Sequence, residues 1–482
     1  MSNLSNFVNK VLGINQAFEQ LLDAGDIDGV KSRMDTHESE VIAAIKEYDY
    51  KQHAVNDRLD KIIYDKKGNI KNTVEMNKIP IPYEQYANEM ALVFLFGRRL
   101  KWSQLSKGTD DAFKAYTDLL ESTHYHARAR EFKRCAGSET ESAMLYRLYR
   151  DDDGKAKCQI RVLAKSKGDE IYTRFDQYND LKAFAWGYHT KEADNNTKYH
   201  VDIHTAQTIY HCTRGKFGWE VQKEVNPVGK ILAIYVRQKK EWHGAEAIRE
   251  RIENQAATSA DTNDYFADPI MIMNADIIKN MPEKGQPGKA IVANSQTGVN
   301  DVAKYLTWDN APQAKKEEME WLDSQFMQKT FTPNLTYDAL KSISQMSAKA
   351  MQMFMLSGVI KANNNKEIYD ELMDRSASLM ISIIGNVLDV SLMKQCKELR
   401  VAHEWQNPFG EDVMDAIKNI VGSVDGGIMS RETAISLNPL VTDPLGELKK
   451  LSEEREQAIQ QQKEIFRGEQ GDNREDDERD EE

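Results

Sequence analysis

Five side chains of types that bind metals lie close together in the middle of the chain. His200, Asp202 and His204 alternate, so on a β-strand they would project from one face, and His211 and Cys212 follow shortly afterwards. Two interpretations are open. The first is a metal-dependent enzyme that uses the region of His200, His204 and Cys212, and the second is a polar, solvent-facing side of a strand. We favour the second, and we therefore assign no metal ligand, no cofactor and no catalytic residue.

The sequence contains none of the common enzyme motifs. Residues 285–289, Gly-Gln-Pro-Gly-Lys, lack the spacing of a P-loop and the Ser or Thr that follows its lysine, so they predict a plain loop. His403-Glu404 has no second histidine, and neither GxSxG nor GxGxxG occurs. The methionines between residues 346 and 355 predict adaptable helix packing rather than a set of ligands. The motif search therefore favours a protein that is not an enzyme.

The charge of the chain is unevenly distributed. Its 482 residues hold 64 basic and 77 acidic side chains, a net charge of −13. Residues 469–482 contribute nine acids and two arginines, a net of −7, which leaves −6 on the rest of the chain. This charge argues against a strongly basic nucleic-acid binder. Residues 468–482 have almost no apolar side chain and predict a disordered acidic tail.

Membrane and secretory classes are not expected from the composition. No apolar stretch approaches the roughly 18 residues of a membrane span. The first residues lack the basic and apolar segments of a secretory signal. The four cysteines form no CxxC pair, which favours a reducing compartment over a disulfide or zinc scaffold. They are Cys135, Cys158, Cys212 and Cys396.

A helical segment and a strand-rich segment make up the first half of the chain. Residues 1–135 predict helices, of which Tyr83–Trp102 and Thr109–Lys133 are the clearest. From Ser142 to Val236 the hydrophobic period changes to two, which predicts a mixed sheet of successive hairpins. The predicted strands are Met144–Tyr149, Gln159–Leu163, Ile171–Phe175, Tyr199–Ile203, Thr208–Cys212, Trp219–Val225 and Ile231–Val236.

A long helix, a small knob and a returning helix follow the sheet. Gly244–Phe266 predicts a helix of about 33 Å with a thin apolar stripe, typical of a helix that packs between domains or against other chains. Residues 269–311 are rich in Pro, Gly, Asn and Lys, and the lysines either contact phosphate or solvate the loop. Gln313–Lys329 predicts the returning helix, with its large apolar residues on one face.

The remainder of the chain is largely helical. A polar segment around Pro333 comes first. Gly426-Gly427 ends the helix that begins at Val413. Ser430 and Asp443 are good N-caps. The predicted elements are helices at Ala348–Ile360 and Asn365–Gln395, a strand at Leu399–Trp405, a helix from Val413 to Val424 and a last helix from Asp443 to about Phe466.

This order of elements resembles the portal (head–tail connector) proteins of tailed bacteriophages over about residues 80–460. Each matching phrase is short, and their shared order carries the resemblance. The phrases are Asn226–Ile231 before the long helix, Ala267–Met271 at the clip entry, Lys304–Asp309 at the clip exit, Thr332–Asn334 with Ser347–Met351 around the tunnel loop, and Gly427–Thr433 with Asp443 and Glu447 in the crown.

The resemblance implies an α+β fold of the phage-portal type. Its expected segments are a wing of helices and mixed β-sheet (1–243), a stem helix (244–268), a small α/β clip (269–311), a second stem helix (312–329), a tunnel loop (330–346), a kinked helix returning to the wing (347–409), a helical crown (410–467) and the acidic tail (468–482).

The resemblance also implies a function. Such proteins form a dodecameric ring at the capsid vertex, through which double-stranded DNA is packaged and ejected, and they need no cofactor. The implied partners are further copies of the chain, non-specifically bound double-stranded DNA, the large terminase, a head–tail adaptor and the major capsid protein, with no membrane. The implied location is the virion, after assembly in the host cytoplasm. A virion or scaffold protein without a channel is the alternative in the same class.

Three sets of residues carry the expected roles. The DNA-facing tunnel-loop set is Thr332, Asn334, Thr336, Lys341, Ser342 and Gln345. The stem and subunit-contact set is Ile248, Arg251, Ile252, Met319, Leu322 and Phe326. The clip set, for docking terminase and adaptors, is Lys279, Glu283, Lys284, Gln286 and Lys289.

Overall fold

The computed structural model describes most of the chain. The described residues are 18–191, 197–266, 271–273, 303–305, 312–335, 352–406, 408, 413–438, 440–441, 444 and 446–459. Two compact units are present, Met1–Gln406 and Asn407–Glu482, and each is described by itself. Within the described residues, no helix combines the length and apolar character needed to cross a membrane.

Both helices and strands are present, as the predicted α+β class requires. The helices of the first unit are α1 (Phe18–Ala24), α2 (Ile27–Lys31), α3 (Glu38–Tyr48), α4 (Tyr83–Phe96), α5 (Asp110–Ser122), α6 (Tyr125–Glu139), α7 (Glu246–Phe266), α8 (Pro312–Lys329), α9 (Leu356–Ile383) and α10 (Met393–Glu398). Its strands are β1 (Lys61–Tyr64), β2 (Ile70–Val74), β3 (Lys101–Gln104), β4 (Glu141–Arg150), β5 (Ala156–Leu163), β6 (Glu170–Phe175), β7 (Leu181–Lys191), β8 (Thr197–His204), β9 (Thr208–Gly215), β10 (Gly218–Val225), β11 (Ala233–Arg237), β12 (Met271–Met273), β13 (Ala303–Tyr305) and β14 (Val401–Glu404).

The strand-rich region forms two sheets rather than the one expected from sequence. A five-stranded sheet has the order β10-β9-β8-β7-β6, and a three-stranded sheet has the order β11-β4-β5. Every described pair is antiparallel, so the prediction of a mixed sheet was wrong. The interior strand β7, between β8 and β6, was also missed.

Alternation along the strands divides the apolar side chains between two cores. On β8, Val201 and Ile203 pack with Ile27 and Val30 of α2 on one side of the five-stranded sheet. On the other side, residues such as Phe184 of β7 pack with β4 and β5 of the smaller sheet. Residues two apart therefore share a face, as the strand period requires.

The helical region is interrupted where the sequence suggested continuous helices. The predicted helix Tyr83–Trp102 ends at Phe96, because Trp102 belongs to β3, which pairs with β14. The predicted helix Thr109–Lys133 is split at His124, whose φ of 52° is left-handed and breaks the helix. In contrast, α9 runs without a break through residues 361–364, which had been assigned to a gap between two helices.

The second unit is helical in its described part. Its helices are α11 (Val413–Asp425) and α12 (Arg431–Leu437), and residues 446–459 are also helical. Gly427 adopts a φ of 69° after α11, as a glycine C-cap requires. The predicted cap Ser430 is confirmed, since its Oγ accepts a hydrogen bond from the Thr433 N–H. The predicted cap Asp443 and the acidic tail lie outside the described residues.

Candidate functional site

Helices α7 and α8 pack against each other and run antiparallel. Gly244, just before α7, lies against the side chain of Lys329 at the end of α8. Further along, Arg251 Nη2 lies 2.6 Å from Glu318 Oε1. The strands that follow α7 and precede α8, β12 and β13, also pair antiparallel. The chain therefore runs out along one helix, through a strand pair, and back along the other; we call α7 and α8 the stem pair.

The apolar stripe of the stem pair is buried within a single subunit. Ile252 and Phe326 have no exposed surface, and Leu322 is also buried. They pack with Ala87 of α4 and with Trp242, which precedes α7. Burial of each such side chain contributes about 1.5–3 kcal/mol. The expectation that neighbouring subunits cover these three stem residues was wrong, because α4 and Trp242 of the same chain already do so.

The other predicted stem residues lie at the edges of this core. Ile248 and Met319 are partly buried beside it. Arg251 is exposed and pairs with Glu318 across the stem pair. The surface of α8 away from the core carries Trp321, which is 60% exposed and was not singled out from sequence. Among the described residues of the stem pair, Trp321 is the large apolar side chain with the most exposed surface.

A buried charge cluster fixes the start of α7 to α4 and to the segment after α3. Arg249 Nε donates to Glu84 Oε1 at 2.7 Å, and Arg249 Nη1 donates to Glu253 Oε2 at 2.9 Å. His53 Nδ1 lies 2.6 Å from Glu253 Oε1. All four side chains are buried, so each charge needs its partner. The Arg249–Glu253 spacing of four residues was visible in the sequence, but the distant partners were not.

The pKa values in this cluster follow from burial and pairing. Burial raises the pKa of the Glu84 carboxyl, and the Arg249 guanidinium opposes the shift. Burial would lower the pKa of His53, but hydrogen bonds to Glu253 and to the Glu47 carbonyl raise it. Burial would raise the pKa of Glu253, but hydrogen bonds from His53, the Ile81 N–H and Arg249 lower it. His53 thus lies between two acceptors, the Glu253 carboxylate and the Glu47 carbonyl.

A second buried cluster joins the stem to the segment after it. The Glu241 carboxylate pairs with the ammonium groups of Lys133 on α6 and Lys361 on α9. Lys361 Nζ also donates to the carbonyls of Glu241 and Thr330, at 3.0 and 2.9 Å. Burial would raise the pKa of Glu241, but the two lysines lower it to about 2. We call Lys133, Glu241 and Lys361 the stem-base triad; it ties α6 and α9 to the start of α7 and the end of α8.

The described start of the predicted tunnel loop is held tightly. Thr332 is 3% exposed and its hydroxyl accepts a hydrogen bond from that of Thr330, so the expectation that Thr332 faces DNA disagrees with its position. Tyr86 Oη donates to the Pro333 carbonyl at 2.8 Å and accepts from the Leu335 N–H at 3.2 Å. Asn334 is partly buried.

The other predicted DNA-facing and docking residues lie outside the described residues. In the tunnel loop these are Thr336, Lys341, Ser342 and Gln345. In the clip they are Lys279, Glu283, Lys284, Gln286 and Lys289.

The residues considered for a metal site do not converge. Cys212 pairs with Val201 in the ladder, so it faces the helical core, away from His204. Asp202 accepts a hydrogen bond from His211 Nδ1 at 2.9 Å, and His200 bonds two threonines. Among the described residues, no group of three or more such side chains could hold a metal ion. The described geometry therefore gives no support to a metal site built from His200, His204 and Cys212.

A comparison with protein families identifies the family to which the chain belongs. The family model described as "Phage portal protein, SPP1 Gp6-like" matches residues 30–461 of the 482-residue chain. A search of curated proteins gives no match. The family is one of structural rather than enzymatic proteins, and its members serve in bacteriophage virions and genome packaging. The match extends the sequence resemblance, which began near residue 80, into the N-terminal helices, and the chain belongs to the phage portal protein family.

Proposed function

We propose that twelve copies of this chain form a ring at the capsid vertex, with an axial channel for double-stranded DNA during packaging and ejection. The observation that carries the proposal is the antiparallel stem pair. Two buried charge clusters fix its base, and a strand pair joins its far end. Head-to-tail contacts that close by rotation produce such rings. Trp321 is the stem residue that we expect to contact a neighbouring copy.

The remaining segments take the roles that the family resemblance implies. Residues 1–243 are the wing, 269–311 the clip that docks the large terminase and later a head–tail adaptor, and 330–346 the tunnel loop. Residues 347–409 are the kinked helix that returns to the wing, and residues 410–467 are the crown. The ring assembles in the host cytoplasm. It contacts the major capsid protein and becomes part of the virion.

The charge of the chain suits a conduit better than a tight binder. Each phosphate that a protein neutralises adds affinity and salt dependence, which would slow a sliding duplex. Apart from its acidic end, each subunit carries a net charge of only −6. A ring of such subunits repels the duplex weakly on all sides, so DNA can pass without being held. No base-reading element is needed for this task.

The test is to image the purified full-length chain down its axis by electron microscopy and to weigh it by mass photometry. We expect rings of about twelve subunits with a resolved axial opening. Rings without an opening would favour a scaffold or other virion protein. The absence of rings at every salt concentration would contradict the proposal.

A further inference from the structure

The hairpin formed by β1 and β2 is exposed along both strands. We call residues 61–74 the arm; every residue in its two strands is exposed. Five of the nine residues in its two strands are large, exposed apolar residues. These are Ile62, Ile63, Tyr64, Ile70 and Val74, with Tyr64 58% and Ile70 64% exposed. The sequence pattern predicts helices in this region, whereas the structure has a hairpin.

The register of the arm sorts these side chains into two faces. Ile62 and Tyr64 are two residues apart on β1, and Tyr64 pairs with Ile70 on β2. The register shifts between Ile63 and Tyr64, where β2 has one extra residue, so the alternation of faces on β2 changes there. The three therefore share one face. Ile63 and Val74 lie on the opposite face, since Lys61 pairs with Val74 and shares a face with Ile63. Both faces of the ribbon are thus partly apolar, with the larger patch at Ile62, Tyr64 and Ile70.

Both ends of the arm are tied to helix α7. Arg58 Nη2 lies 2.7 Å from Asp261 Oδ2, before the arm. After it, the Asn77 N–H donates to Asp261 Oδ1 at 2.7 Å and the Asn77 side-chain amide donates to Asp264 Oδ2 at 2.6 Å. The stem therefore presents the arm in a defined direction. Because an uncovered two-stranded ribbon is only marginally stable in water, a partner surface is needed to cover it.

We propose that the arm packs on a second copy of this chain, adjacent in the ring; this rests on the proposed function. The arm holds four lysines and one aspartate, a net of +3, whereas the whole chain carries −13. Opposite charge favours contact between the arm and the rest of an identical copy. DNA would suit the lysines but not the apolar face, because non-specific duplex binding uses phosphate contacts. The apolar patch therefore favours a protein surface.

The first experiment compares two variants of the full chain by mass photometry over a range of concentrations. The test variant replaces the apolar patch (Ile62→Ser, Tyr64→Ser, Ile70→Ser). The control replaces two exposed, uncharged residues of the same hairpin (Asn69→Ser, Asn72→Ser), so that the charge of the arm is unchanged. We expect the concentration needed for ring assembly to rise about tenfold or more for the test variant and to stay within about twofold for the control. Circular dichroism of both variants checks that the subunit remains folded.

The second experiment places a photo-reactive phenylalanine analogue at Tyr64 in the assembled chain. Cross-links between copies are expected, whereas their absence in intact rings would overturn the proposal. Unchanged assembly of the folded test variant would also overturn it, and so would a loss confined to DNA binding, which would make nucleic acid the partner. Absence of rings in the unaltered chain would instead contradict the proposed function, so the two failures can be told apart.

Discussion

At the residue scale, the stem-base triad shows how two lysines stabilise the buried carboxylate of Glu241. Glu241 is buried between two lysines, and Lys133 has no exposed side-chain surface. Lys361 adds hydrogen bonds to two backbone carbonyls, so its ammonium donors are used. Removing one partner from such a group leaves an uncompensated charge, which costs more than the pair itself contributes.

Replacement of the triad carboxylate is expected to destabilise the subunit. Glu241→Gln leaves two buried ammonium groups without their counter-charge and should cost about 3–5 kcal/mol in the free energy of unfolding by urea. The matched control is Glu246→Gln, a partly exposed glutamate that pairs with Lys240 nearby, for which we expect about 1 kcal/mol or less. Equal losses for the two variants would show that the triad has no special role.

The same triad gives a pH dependence with a defined sign. The pKa of Glu241 is about 2 in the folded chain, below its ordinary value of 4.5. The unfolded state therefore binds the proton more readily, and this contribution to stability is complete above about pH 4.5 and lost as the pH falls towards 2. The acid limb of the urea-midpoint profile should be less steep in Glu241→Gln, and an unchanged acid limb would contradict this assignment.

His204 is a second informative residue, because neither ring nitrogen has a hydrogen-bond partner although the side chain is 6% exposed. Burial lowers its pKa to about 4, so the ring is neutral near pH 7. The unfolded state gains a proton near pH 6.5 and the folded state only near 4. Stability is therefore lost as the pH falls from 6.5 to 4.

An apolar residue of similar size should fit the site better. We expect His204→Leu to raise the free energy of unfolding by about 1–3 kcal/mol at pH 7, because two unsatisfied polar atoms are removed. The gain should be larger at pH 5. The control His189→Leu, at an exposed site on β7, should leave the difference between the two pH values unchanged. A loss of stability in His204→Leu would show that the imidazole is satisfied by bound water.

At the scale of elements, local patterns predicted the type of most elements but not their partners. The strands β4–β6 and β8–β11 and the stem pair were recognisable from period two, turn signals and length. Burial of the stem stripe was misassigned, because the covering surface comes from α4, which is distant in sequence from α7. The arm was missed because Ile62, Ile63 and Tyr64 are consecutive, so apolar and polar residues do not alternate along its first strand.

The start of the loop after α8 provides a test at this scale. Tyr86→Phe removes the hydroxyl that holds the Pro333 carbonyl and the Leu335 N–H, so we expect faster hydrogen exchange at the Leu335 amide and a stability loss of about 1 kcal/mol. Tyr83→Phe is the control, because its hydroxyl bonds Asp323 instead. It should leave the Leu335 amide protected. Unchanged exchange in Tyr86→Phe would mean that other contacts order this segment.

At the scale of the whole molecule, the distribution of charge matters more than its total. About half of the net −13 belongs to residues 469–482, and the remaining −6 belongs to the part that the family model largely covers. Sequence alone provided this division, because it depends only on composition. It could not provide the buried pairs that neutralise charge inside the subunit, since His53 and Glu253, for example, are 200 residues apart.

Removal of residues 468–482 tests whether the acidic end acts on assembly only through its charge. In a ring of twelve copies, these segments bring many like charges together, which opposes assembly at low ionic strength. Salt screens such charges over about 8 Å at physiological strength. We therefore expect the truncated chain to form rings at lower protein concentration than the full chain in dilute buffer, and at equal concentration in physiological salt, as measured by mass photometry. Loss of rings in both buffers would instead show that this segment makes contacts on which assembly depends.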